Sequence, residues 1–169
     1  MRGTLSRWRS YTVTSLVLFG AVFGAPIGWS GNTATQTVSL EVLAINELAV
    51  SGSPSLMSIG TATAGSQPTP ATNSATSYLI TTNSPNRKIQ AKVDSTLPAN
   101  TSLVVSLAAP TGATPVSNVA LSTTDQDVVT GINTLIDAGK AISYQFNATV
   151  AAGLISTSRT VTFTLIAGS

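Results

Sequence analysis

The chain contains no cysteine and no histidine. Without thiols there is no disulfide, no thiolate metal site and no cysteine nucleophile, so the fold must stand on packing alone. Without imidazole, the Ser-His-Asp and Cys-His arrangements and the common zinc sites are excluded as well. Charge is also scarce, at 8% of residues, against about 25% in ordinary soluble domains. Ser, Thr and Asn take its place on the polar faces. The only acids are Glu41, Glu47, Asp94, Asp125, Asp127 and Asp137. A glycosidase pair needs two carboxyls about 5 to 10 Å apart around a bound sugar, and aromatics make up only 5% of the chain. The residue inventory therefore points to a protein that is not an enzyme and carries no cofactor.

What is present at the N-terminus is the order of a secretory signal. Arg2, Arg7 and Arg9 come first with no acid among them, then an apolar run from Val13 to Gly24, then Pro26 and small residues. Two positions suit cleavage, after Gly24 or after Ser30, and Pro26 close behind the first favours the second. An anchor that stays in place is the alternative, because Val13 to Trp29 is nearly long enough for a bilayer core that wants about 20 apolar residues; its Gly and Pro residues argue against that. The expected division is a signal peptide at 1–30 and a single domain at 31–169, secreted or at the cell surface of a bacterial-type exporter. Contact with a membrane is expected only through the leader during export. Setting the leader aside leaves five cations against six acids, a balance of −1. The cations Arg87, Lys88, Lys92, Lys140 and Arg159 are scattered, so no footprint for nucleic acid exists.

After residue 34 the recurring signal is period two. Ile142, Tyr144, Phe146, Ala148 and Val150 alternate with Ser143, Gln145, Asn147 and Thr149, the pattern of a strand with one buried face. Val161, Phe163 and Leu165 repeat it, as do Ile89, Ala91 and Val93, and also Val38, Leu40 and Val42. Shorter runs rich in β-branched residues at 48–50, 56–59, 78–82, 103–107 and 119–121 are further strands. Turn clusters separate them at Ser51–Pro54, Asn83–Asn86, Leu97–Asn100 and Ala109–Gly112. The expectation is an all-β protein, an Ig-like or Greek-key β-sandwich of about 7 to 9 antiparallel strands. Residues 60–75 read as a surface loop. Residues 122–139 admit two readings, a short helix from Asp125 capped by Thr123 or Thr124, or an irregular strand with a bulge at Gly131.

Few residues offer chemistry. Asp125 and Asp127, with help from Asp137, are weak candidates for calcium. The simpler reading places them at a helix N-terminus, where acids complement the dipole. Asn100-Thr101-Ser102 and Asn147-Ala148-Thr149 match the glycosylation pattern, as chance allows in so Asn- and Thr-rich a chain. The aromatics Tyr78, Tyr144, Phe146 and Phe163 fall on or near core positions rather than on a sugar-stacking platform.

The remaining expectation is a structural role. Gln36-Thr37-Val38-Ser39-Leu40 follows the leader, short Thr-rich strands follow that, and a strand runs to the C-terminus. In this arrangement the chain resembles the secreted sandwich subunits of bacterial surface fibres and coats, although it lacks the disulfide frequent in chaperone-assembled pilins. The resemblance implies a subunit of an extracellular or cell-surface assembly that self-associates by strand exchange, with Val38, Leu40 and Val42 as the assembly strand. The same segment can instead be the first edge strand of its own sandwich. The competing function is a monomeric adhesion or glycan-binding module using loops 60–75 and 109–119.

Overall fold

A computed structural model describes residues 32–169. The leader and both cleavage positions expected from the sequence lie outside them. The chain divides into two compact units, Met1–Leu40 and Glu41–Ser169. The described part of the first, residues 32–40, contains no strand. The second contains nine: β1 (Asn46–Ser51), β2 (Ala71–Thr82), β3 (Arg87–Val93), β4 (Thr101–Leu107), β5 (Thr114–Pro115), β6 (Val119–Ala120), β7 (Gln126–Ile132), β8 (Leu135–Ala148) and β9 (Val161–Ala167). They form two antiparallel sheets, ordered β1-β2-β8-β4-β6 and β5-β7-β3-β9.

The alternation read from the sequence decides which side chains face inward. Ile89, Ala91 and Val93 of β3 are buried while Lys88, Gln90 and Lys92 stay partly exposed. Leu103, Val105 and Leu107 of β4 and Ile142 and Tyr144 of β8 behave likewise. Both sheets contribute to one cluster, Tyr78, Ile80, Leu103, Val105, Leu107, Ile142 and Tyr144 from the first and Ile89, Ala91, Val93, Val128, Val129 and Ile132 from the second. The result is sandwich-like. Burying each of the larger side chains contributes about 1.5 to 3 kcal/mol, which replaces the covalent staple that the sequence cannot form. The Tyr78 hydroxyl donates to the Ala108 carbonyl at 2.6 Å, which satisfies its one polar atom within the core.

Residues 122–139 form no helix. Asp125 leads into β7, and β8 begins at Leu135, seven residues before the buried Ile142. The apolar spacing that resembles a helix arises from inserted residues. Arg87 pairs with Ile132 and Ile89 with Val129, so β7 carries one residue more than β3 beside Gly131. A further shift brings Gln90 opposite Asp127, and Val128 and Val129 are buried in succession. Along β8 the same device recurs, since Tyr78 pairs with Lys140 but Ile80 with Asp137. Gly131 and Gly139 lie at these bulges with φ of +69° and +70°, a region open to glycine and costly for other residues.

Three other expectations change. Residues 56–59 form no strand and β2 begins at Ala71, so the loop expected at 60–75 runs instead over 52–70, with an isolated bridge between Ala62 and Pro68. The strand expected over Thr37–Val42 is also absent, and the first strand of the sandwich is Asn46–Ser51. Replacing Gly131 or Gly139 by Ala should each cost about 1 to 2 kcal/mol because φ is positive there. Gly60→Ala, at a position with open space and ordinary φ, should be nearly neutral. Urea unfolding midpoints with unchanged slopes would check both.

Candidate functional site

The segment before β1 has the composition of a strand without a strand's partner. Val38, Leu40 and Val42 recur at period two, separated by Ser39 and Glu41, and are 67%, 90% and 82% exposed. Alternating residues of this kind become a strand only where a neighbouring edge supplies ladder hydrogen bonds and a surface to cover one face. None of residues 32–45 is in a strand.

Where this stretch ends, the chain is tied down. The Asn83 side chain accepts a hydrogen bond from the Ile45 N–H at 2.7 Å and donates to the Leu43 carbonyl at 2.8 Å. Its own backbone N–H donates to the Ile45 carbonyl at 3.1 Å. One side chain therefore fixes the path of the backbone at Leu43–Ile45, just before β1 pairs with β2 from Asn46 opposite Thr82.

The two sheets have unequal edges. β5 and β6 end their sheets with two residues each, and β5 includes Pro115, which cannot donate to a ladder. At the other side lie β1, six residues including Glu47, and β9, seven residues with neither charge nor proline. β9 pairs with β3 in unbroken register from Val161 opposite Val93 to Ala167 opposite Arg87, and its other edge has no strand beside it among the described residues.

Asp125 and Asp127 face lysines rather than a cation site or a helix terminus. Lys92 reaches Asp125 at 3.2 Å, and Lys88 reaches Asp127 at 3.1 Å. Gln90 donates to the other oxygen of Asp127 at 2.7 Å. That bond, with the Lys88 bond and charge, holds the Asp127 carboxyl below its ordinary value. Asp137 is on β8, in the other sheet, and pairs with Lys140 at 3.0 Å. The three acids considered for calcium are thus not brought together.

Shallow depressions mark the surface of the described residues, two of them lined mostly by polar residues. The larger, about 380 Å³, lies between Gln67, Pro68 and Pro70 of the loop and the strand ends around Asn100–Ser102 and Asn147–Thr149. Both glycosylation patterns border it, and both amides are already engaged: Asn147 donates to the Ser102 hydroxyl at 3.1 Å and Asn100 to the Ala151 carbonyl at 3.2 Å. The smaller, about 210 Å³, is lined by Thr72–Ser74, Ser106, Asn118 and Ser143–Gln145. Tyr144 contributes to it from a buried position, and burial pushes its phenol up to about 12.

Because the Asp127 pKa is depressed on folding, its pairing stabilises the protein above the ordinary carboxyl value of 3.8. That stabilisation is lost as pH falls below 3.8 through the folded value. Asp127→Asn should therefore flatten the fall of the urea midpoint on acidification compared with the unmodified protein. Equal acid slopes in the two would show that the pair contributes nothing.

No known protein family, characterised protein or solved structure matches this chain.

Proposed function

We propose that the protein is an exported, non-catalytic structural subunit of an extracellular or cell-surface assembly, a fibre or coat, in which one copy gives Thr33–Val42 to another as a β-strand. The carrying observation is that Val38, Leu40 and Val42 stand 67–90% exposed in a strand-patterned segment that pairs with nothing described. Leaving three such side chains in water forgoes about 1.5 to 3 kcal/mol each, a large driving force for finding an edge. The basic, apolar and small-residue order of residues 1–30 supports export. Within this reading the nine strands make a Greek-key sandwich of Ig-like type.

The competing role, a monomeric binding module, draws on the depression beside Gln67, Pro68 and Pro70. That site offers no aromatic ring and no charged group, so it supplies little beyond amide and hydroxyl hydrogen bonds.

Light scattering after size-exclusion chromatography separates the two. A chain starting at Gly31 should run as large species, and one starting at Leu43 as a folded monomer. Leu40→Asp should likewise abolish the large species while changing monomer stability by less than about 0.5 kcal/mol, as exposed sites do. A stable monomer from the Gly31 chain would reject the fibre reading in favour of the binding module.

A further inference from the structure

If one copy donates a strand, some edge of the next must receive it, and the four edges are not equivalent. β5 and β6 offer two residues each. β1 carries Glu47 and continues into the backbone held by Asn83. β9 is long, straight in register, uncharged and without proline. It lacks the devices with which sheet proteins protect an edge.

The inward row of β9 is also incompletely covered. Val161, Phe163 and Leu165 pack against the core yet remain partly exposed. β1 lies across from β9, with Cα atoms within 8 Å. On it, Leu48 is partly buried and Val50, of the same parity, is 49% exposed. An apolar crease therefore runs between the two sheet edges. Its three β9 residues recur at period two, as do Val38, Leu40 and Val42, and a strand added to β9 would lie about 4.8 Å away.

Charge selects the orientation. Thr162 pairs with Lys92 and Thr164 with Gln90, while Gln90 pairs with Asp127. If Val38, Leu40 and Val42 cover Leu165, Phe163 and Val161 in antiparallel order, Glu41 falls opposite Thr162, in the row leading to Lys92. In parallel order Glu41 falls opposite Thr164, in the row leading through Gln90 to the carboxylate of Asp127. In the antiparallel order the nearest charge in the row of Glu41 is the Lys92 ammonium, which Asp125 meets from the far side; in the parallel order it is the Asp127 carboxylate, so the antiparallel order is the one in which Glu41 meets an opposite charge first.

Resting on the strand-donation reading, we propose that β9 is the acceptor edge, and that residues 37–42 of a second copy add antiparallel to it, with Leu40 over Phe163 and Glu41 in the row of Lys92. Each copy then has one donor and one acceptor, supplied by different segments of the chain. Such an interface is heterologous, and repeating it gives an open filament unless the rotation closes a ring.

The absence of native cysteine makes cross-linking a clean test. Full-length Ser39→Cys protein is mixed in turn with Thr164→Cys, Thr162→Cys and Ala49→Cys protein, and disulfide-linked dimers are counted after mild oxidation. All four positions are exposed, and circular dichroism confirms that each variant is folded. Opposed residues in a ladder lie about 4.5 to 5.5 Å apart, inside disulfide range, so the 39/164 mixture should give at least about tenfold more dimer than the others. Preference for 39/162 overturns the antiparallel orientation. Preference for 39/49 overturns β9 as acceptor while strand donation stands. Polymer without a cross-link in any mixture overturns both, as does an unmodified protein that light scattering finds monomeric.

Discussion

The apolar layer between the two sheets is the one interaction on which everything else in this fold rests. No disulfide assists it, and among the described residues the pairs Lys88–Asp127 and Lys92–Asp125 lie on the outer face of their sheet, where such pairs contribute at most about 1 kcal/mol. Ile89, Ala91 and Val93 sit at the centre of the layer, on a strand flanked by β7 and β9. From that centre burial declines toward β9, whose inward residues are only partly covered. The same gradient that builds the core thus leaves one margin unfinished.

How far this could be read from the residues depends on the physics behind each element. The alternation at Lys140–Ala148, Arg87–Val93 and Val161–Leu165 was legible because one buried face forces period two. The region 122–139 was not, because bulges at Gly131 and Gly139 insert residues that break that period and imitate helical spacing. Thr37–Val42 has an unambiguous strand pattern and yet forms no strand here. Pattern reports the fitness of a segment for a pleated surface, and the presence of an edge to receive it is a separate fact. The openness of β9 could not be seen either, because sequence does not say which strands end a sheet.

The acids show a related limit. Asp125 and Asp127 as a D-x-D pair suggest a ligand set or a helix terminus. Only the register, with Lys92, Gln90 and Lys88 on the adjacent strand, shows that their charge is met within the sheet. Asp137, close in sequence, is removed to the other sheet by the short crossing from Ile132 to Leu135.

The tie at Asn83 has a mechanical meaning. Tension on residue 42 from outside the molecule enters through the Leu43–Ile45 backbone and passes directly into the ladder from Asn46–Thr82 to Ser51–Ser77. A pull along the axis of β1 loads that ladder in shear, so its hydrogen bonds share the force together instead of parting one by one. The amide of Asn83 keeps the entering chain aligned with the strand, and a side chain without those two hydrogen bonds would let it swing outward and peel β1 from its end.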